Sequence, residues 1–282
     1  MNLDHTVFLA RDYAAVWQLH ERLGFTLSPP SRHKAARTSG SEPALSCTAN
    51  RCAYFGDSFI ELIGIVDADA GDPWHVLPIV ALGDGLHGLS FGGEDSATAE
   101  RRLREAGLST SGVLALQRDV DLPEGPRTAR FRSVHLRRDR TPEGILHTAE
   151  HLTPEYVHQP RYLTHPNGAK GLHSVQLVVA DAELPAYLER YEQILGRPPS
   201  GTSFPLGTGR LDLVPAGRLD EVLPGELAPR LPYFAAQTVA VENLDAARKF
   251  AAEAGVPTVD TRDGFFVPAA HAGGAALGFA ER

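Results

Sequence analysis

The chain has 282 residues, of which 43% are hydrophobic, 22% charged and 7% aromatic; these proportions are typical of a globular protein and exclude disordered, collagen-like and disulfide-stapled chains. Its 27 Lys and Arg against 35 Asp and Glu give a net charge of −8, which disfavours nucleic acid or an anionic membrane as a partner. The length predicts two domains and directs attention to internal duplication.

Three segments share one strand pattern, in which a His stands two and four residues before apolar residues. They are residues 3–9 (LDHTVFL), 85–91 (GLHGLSF) and 171–177 (GLHSVQL). Because strand side chains alternate between two faces, each His shares a face with those apolar positions. The pattern predicts the first strand of three repeated units.

An amphipathic segment that ends at a glycine follows each of these strands, and glycine just past the last apolar turn is a helix stop. The three predicted helices are 12–23, 96–106 and 182–195, which stop at Gly24, Gly107 and Gly196. A fourth copy has a strand at 234–241, a helix at 244–254 and its stop at Gly255. Four repeated units are therefore predicted.

Short β-rich runs separated by Gly and Pro come after each helix, so the unit is βαβββ. The predicted fold class is α+β, with four such units paired into two domains whose sheets are not all parallel. A Pro-rich segment separates the pairs. We expect a first domain at 1–158, a linker at 159–170 and a second domain at 171–282.

A basic cluster interrupts the first unit, among Ser, Pro and Gly. It comprises Arg32, His33, Lys34 and Arg37. We interpret it as a solvated loop, with contact to a substrate anion as the alternative.

The cysteine content and the N-terminal sequence bear on the cellular compartment of the protein. Cys47 and Cys52 lack a second cysteine pair, so they are interpreted as strand residues with free thiols rather than as a metal or redox site. No secretory signal and no apolar membrane span is recognisable, which predicts a cytoplasmic protein.

Three short motifs carry a resemblance to a known superfamily. LDHTVFL at 3–9, LGF at 23–25 and FIELI at 59–63, within paired βαβββ units, resemble the glyoxalase-like branch of the vicinal oxygen chelate superfamily. The resemblance implies that two units curl into a half-open barrel. It also implies a divalent metal, held by residues on the first and last strands of each unit.

The positions that the resemblance assigns to metal ligands are His5, Glu61, His87 and Glu150. Imidazole and carboxylate ligands suit Zn²⁺, Ni²⁺, Co²⁺, Fe²⁺ or Mn²⁺. A lone strand His is more often a structural residue, whereas a Glu on an apolar face is costly to bury without a partner. If the register of the last strand were one residue off, His151 would replace Glu150.

The same positions in the second domain are His173, Asp212, Phe234 and Gly278. Phe234 and Gly278 cannot coordinate, which leaves fewer than the three protein ligands of a typical catalytic site. We expect the second domain to be a degenerate copy without a metal.

The resemblance implies an enzyme that acts on a small oxygenated metabolite by isomerase, lyase or hydrolase chemistry, in which a metal stabilises an oxyanion or enediolate. Glu61 or Glu150 would serve as general base. The alternatives are a metal-free binding protein, such as an antibiotic-sequestering factor, and an extradiol-type dioxygenase. No Gly-rich dinucleotide fingerprint is present, so no nucleotide cofactor is expected, and no Gly-x-Ser-x-Gly elbow is present either. We expect the chain to be a monomer or a homodimer.

Overall fold

Two β-sheets organise residues 1–281, which are the residues that this computed structural model describes. The first sheet has eight strands and closes into a barrel, and the second has seven strands and stays open. Helices alternate with the strands along the chain, so the predicted α+β class is confirmed.

The first half of the chain contains two units, each with one strand, a helix and three further strands. The first unit consists of β1 (Asn2–Ala10), α1 (Tyr13–Arg22), β2 (Ser31–Ala35), β3 (Ala44–Tyr54) and β4 (Phe59–Ile65), followed by the short helix α2 (Val76–Val80). The second consists of β5 (Gly85–Gly92), α3 (Ser96–Glu105), β6 (Thr110–Leu122), β7 (Gly125–Leu136) and β8 (Ile145–His151), followed by the short helix α4 (Pro154–Val157).

The second half repeats the pattern with shorter strands. Its first unit consists of β9 (Ala169–Val179), α5 (Leu184–Leu195), β10 (Ser203–Pro205) and β11 (Arg210–Pro215), followed by α6 (Leu219–Val222). Its second consists of β12 (Tyr233–Val241), α7 (Leu244–Glu253), β13 (Val259–Thr261), β14 (Gly264–Val267) and β15 (Ala276–Glu281). The third unit therefore has two strands after its helix, one fewer than the repeat predicts.

The first sheet closes where the sequence predicts a half-open barrel. Its strand order is β1-β4-β3-β2-β6-β7-β8-β5, and β5 pairs with β1 to complete the ring. The seam on the other side is the pairing of β2 with β6, in which His33 lies opposite Arg118. In the second sheet the edge strands β10 and β13 are three residues long and do not meet. Short strands leave that sheet open.

The four long helices begin and end as their local sequence predicts. The side chains of Asp12, Asp95 and Asn243 accept hydrogen bonds from backbone amides in the first turns of α1, α3 and α7. Gly196 ends α5 with φ of 64°, a left-handed conformation that favours glycine. These local signals place the helices within two residues of their predicted bounds.

One apolar core joins the two sheets. It contains residues of both halves, among them Phe25 and Phe279, whose ring centroids lie 6.1 Å apart. The two cysteines are buried and free on β3, as predicted. None of the helices in the described residues is long and apolar enough to cross a membrane.

His20 on α1 is buried in this core and predicts acid sensitivity. It is 1% exposed, its Nδ1 donates to the carbonyl of Val16, and its Nε2 has no partner. Burial lowers the pKa of His20 from 6.5 to about 4. The unfolded chain therefore binds a proton between pH 6.5 and 4 that the folded chain does not, so stability falls as pH falls through this range.

We expect His20→Leu to reduce the loss of unfolding free energy between pH 7 and pH 5 by about 2 kcal/mol. Urea unfolding at the two pH values measures this difference. His271→Gln, at an exposed position, is the control and should leave the pH dependence unchanged. An equal pH dependence in His20→Leu and the unaltered protein would contradict the prediction.

Candidate functional site

The closed barrel contains a cavity that is lined by residues of both its units, among them His5 and Glu61 from the first and His135 and His147 from the second. Strand alternation decides its lining. On β4, Phe59, Glu61 and Ile63 face the cavity, while Ile60 and Leu62 pack into the core. The predicted shared face of Glu61 with Phe59 and Ile63 is therefore confirmed.

His5 enters the cavity from β1 and is held on both sides. Its Nδ1 lies 2.6 Å from Oδ1 of Asp4, and its ring stacks on Phe59 with centroids 4.3 Å apart. Its Nε2 lies 3.6 Å from Oε2 of Glu61. The carboxylate of Asp4 thus directs the second nitrogen of His5 towards Glu61.

His33 approaches the other oxygen of Glu61 from β2. Its Nε2 lies 3.3 Å from Oε1 of Glu61, and its Nδ1 lies 2.8 Å from the hydroxyl oxygen of Thr48. Asn50 also donates to Oε1 of Glu61, at 2.5 Å. The carboxylate of Glu61 therefore lies between two imidazoles whose outer nitrogens are already bonded.

Both buried carboxylates stay ionised. Burial raises the pKa of Glu61, but the hydrogen bond from His33, the charges of His5 and His33, and Asn50 outweigh it and hold that pKa well below its usual range. The pKa of Asp4 is likewise held low, against burial, by His151 and His5. Glu61, which lines the cavity, therefore presents an anionic carboxylate to an incoming cation, whereas Asp4 contacts His5 and His151 and does not line the cavity.

Two further histidines form a stacked pair beside His5. The rings of His135 and His147 are 4.8 Å apart at an interplanar angle of 14°, and His147 lies 5.2 Å from His5. Burial lowers the pKa of His135 to about 4 and that of His147 well below 6.5. Nε2 of His135 and Nδ1 of His147 are buried without a hydrogen-bond partner. Each of these two neutral imidazoles therefore has one ring nitrogen that can still bind a proton, a hydrogen-bond donor or a metal ion.

His87 does not join His5 and Glu61 in the cavity. The β1–β5 pairing passes from Val7 opposite Gly88 to Phe8 opposite Leu86, so His87 is the extra residue of a β-bulge, which re-aims its side chain. Its Nε2 donates to the carbonyl of Gly83 at 2.8 Å. The bulge is the physical reason why this predicted ligand lies apart from the others.

Glu150 also lies outside the cavity, because the opposite face of β8 points inwards. Oε2 of Glu150 accepts the backbone amide of Ser96 at the start of α3, at 3.0 Å. His147 and His151 line the cavity instead, and Nε2 of His151 lies 3.3 Å from Oδ1 of Asp4. The predicted quartet is thus not brought together: His5 and Glu61 meet, while Glu150 occupies a helix N-terminus.

The corresponding positions of the second half carry other interactions. Nε2 of His173 accepts from Arg210 at 2.8 Å, and Arg210 also pairs with Asp212 at 2.9 Å. Phe234 belongs to the apolar core, and Gly278 packs tightly against Thr238. A guanidinium therefore sits between the two residues of this half that could coordinate.

Sequence reasoning missed His33 and the stacked pair. The basic cluster predicted as a solvated loop is largely strand β2. Ser31, His33 and Ala35 alternate along it and are all buried, and this alternation is the sequence pattern that could have identified the strand. His135 stands in a strand of mixed polarity with no such signal.

The side chains around Glu61 fit a divalent metal in their chemistry. Ligands about 2.1 Å from one ion lie about 3 to 3.5 Å from one another. The separations of His5 and His33 from Glu61 are close to this range, and Asp4 and Thr48 supply the outer contacts that metal-binding histidines have. Within residues 1–281, however, no group of three or more His, Cys, Asp or Glu is placed so that it could hold a metal ion as it stands.

Comparison of structures places the fold among known proteins. A hypothetical protein from Staphylococcus aureus matches with a TM-score of 0.60 and 9% identity, covering 99% of this chain and 98% of its own. A mutant of 4-hydroxymandelate synthase from Streptomyces coelicolor matches with a TM-score of 0.56 and 14% identity, covering 100% and 93%. At such identities the likeness is one of fold.

Sequence comparison identifies the family. A search among curated proteins finds no match. A family profile described as "Glyoxalase-like domain" matches residues 3–195, which span the closed barrel and the start of the second half. This match, over more than half of the chain, shows that the chain belongs to the glyoxalase-like domain family.

Proposed function

We propose that the barrel cavity is the active site of a metalloenzyme that acts on a small oxygenated metabolite, by isomerase, lyase or hydrolase chemistry. His5, His33 and Glu61 hold the ion, which is Zn²⁺, Ni²⁺, Co²⁺, Fe²⁺ or Mn²⁺. The observation that carries the proposal is the ionised carboxylate of Glu61 between two imidazoles that Asp4 and Thr48 orient.

This donor set replaces the one that the superfamily resemblance implies. It keeps His5 and Glu61, and it takes His33 in place of His87 and Glu150, which contact Gly83 and Ser96. Two imidazoles and one carboxylate leave coordination positions open for substrate. A divalent ion held by His5, His33 and Glu61 would supply Lewis-acid stabilisation of negative charge that develops on substrate oxygens.

Residues of the cavity wall supply a proton acceptor and an apolar lining that limits the access of water. Nδ1 of His147 has no hydrogen-bond partner and the ring lies beside His5, so this imidazole is placed to take a proton from a bound substrate. Phe59, Ile63 and Trp74 line the cavity with apolar surface that limits water around the reacting atoms. We assign His147, rather than Glu61 or Glu150, the role of general base.

Proton exchange with solvent tests this function without knowledge of the natural substrate. Hydroxyacetone carries two neighbouring oxygens, and in D₂O the loss of its C–H signals by proton NMR reports proton abstraction next to the carbonyl. We expect catalysis by metal-loaded protein, loss of catalysis with EDTA, and a fall of about 100-fold or more in His147→Ala.

His271→Ala, at an exposed position, is the control and should exchange at the rate of the unaltered protein. Tight binding of the probe in EDTA, without exchange under any metal, would instead support a sequestering protein.

A further inference from the structure

Arg118 is a buried cation at the wall of the same cavity. It lies on β6, opposite His33 across the seam of the barrel, and it is 5% exposed. Its guanidinium is 5.6 Å from the ring centroid of Phe131. An arginine in this place keeps its positive charge at all physiological pH values.

No carboxylate of residues 1–281 forms an ion pair with Arg118. Its side chain donates one hydrogen bond, to the hydroxyl of Tyr54. Glu61 is engaged by His5, His33 and Asn50 and makes no hydrogen bond to Arg118. A buried charge is costly unless it is paired. The charge of Glu61 acts on Arg118, but no carboxylate of the described residues contacts the guanidinium, so its remaining N–H groups can bind an anion in the cavity.

The groups nearest to Arg118 do not supply that anion. Burial raises the pKa of Tyr54 well above 10 and that of Cys52 to about 12, so the phenol and the thiol are neutral. Behind Arg118 lies a smaller cavity lined by Asp119 and Asp121, which repel an anion. The main cavity is therefore the side from which an anionic group reaches the guanidinium.

We propose that Arg118 binds a carboxylate of the substrate, so that the ligand class of this cavity is small 2-oxo or 2-hydroxy carboxylic acids. The planar fork of a guanidinium matches a carboxylate in two parallel hydrogen bonds. The oxygen on the neighbouring carbon is then directed towards His5 and Glu61; this part rests on the proposed metal function. Arg132 and Lys34 also line the cavity, but Lys34 pairs with Asp119 at 2.7 Å and Arg132 lies 3.9 Å from Glu150, so Arg118 is the cation best placed for the substrate carboxylate.

The test compares two probes that differ in the carboxylate. Pyruvate carries it, and butane-2,3-dione has a neutral acetyl group in its place. Calorimetry or NMR titration gives their affinities for the unaltered protein, Arg118→Met and Arg118→Lys, each with EDTA and with Mn²⁺. We expect Arg118→Met to weaken pyruvate binding about tenfold or more and to change diketone binding less than about twofold.

Arg118→Lys keeps the charge but loses the fork, so we expect it to fold and to bind pyruvate with intermediate affinity. Without ligand, the melting temperature of Arg118→Met should be equal to or above that of the unaltered protein, because an uncompensated buried charge is removed. A purely structural Arg118 would lower it. Equal pyruvate affinity in all three proteins would overturn the proposal, as would tighter binding of inorganic phosphate than of pyruvate.

The two proposals fail in different ways. Arg118-dependent pyruvate binding that is unaffected by Mn²⁺ would refute the metal function and leave the carboxylate site standing. Metal-dependent proton exchange, together with a pyruvate affinity that is the same in the Arg118 variants and the unaltered protein, would refute the carboxylate site and leave the metal function standing.

Discussion

Glu61→Gln is expected to lower the affinity for a divalent metal by about 100-fold or more, and the rate of proton exchange by a similar factor. The amide keeps the shape of the side chain and can still accept from Asn50, but it has no charge. His5 and His33 then face a neutral group instead of the anion that lies 3.6 Å and 3.3 Å from their Nε2 atoms. Metal titration and the D₂O exchange assay measure the two effects.

Glu150→Gln is the matched control, because it makes the same chemical change on β8. Its carboxylate accepts the amide of Ser96 and does not line the cavity, so metal affinity should change less than about twofold. Equal losses in the two variants would mean that the ligand set of the superfamily, and not the donor set around Glu61, binds the metal.

Arg190→Met is expected to lower the free energy of unfolding by about 3 to 5 kcal/mol, because it leaves a buried carboxylate unpaired. The side chain of Glu143, just before β8, is 0% exposed and pairs with Arg190 of α5, a helix of the other half. Tyr191 donates to the same carboxylate at 2.8 Å, and this single neutral hydrogen bond cannot replace the cation. Urea unfolding measures the change.

Two controls separate this buried pair from an ordinary ion pair. Lys249→Met breaks the exposed Lys249–Glu253 pair, whose atoms are 3.7 Å apart, and should cost less than about 1 kcal/mol. The double variant Arg190→Met with Glu143→Leu removes both charges and should recover most of the lost stability. An Arg190→Met protein as stable as Lys249→Met would show that this contact between the halves contributes little.

Local patterns in the sequence predict most of the fold and part of the site. The strand alternation of FIELI places Glu61 beside Phe59 and Ile63, and the glycine stops place the helices, because both depend on residues that are neighbours in the chain. The four repeats follow from the same local signals. His5 and Glu61 are the two ligand positions implied by the family resemblance that the structure brings together.

The remaining site residues depend on pairing between distant strands, which no local pattern contains. Alternation along β8 puts Glu150 on the face opposite to His147 and His151, but the closure of the barrel decides that the two histidines face inwards and Glu150 outwards. A bulge against β1 turns His87 away. His33 stands in a five-residue strand after two prolines, and its pairing with both β3 and β6 holds it in the sheet.

The most direct measurement of the central claim is a Co²⁺ titration of His33→Ala beside His87→Ala, followed by visible absorption. We expect the His33 variant to lose about tenfold or more in Co²⁺ affinity, and the His87 variant, whose imidazole donates to the carbonyl of Gly83, to bind Co²⁺ like the unaltered protein. A loss confined to His87→Ala, with His33→Ala unchanged, would contradict it.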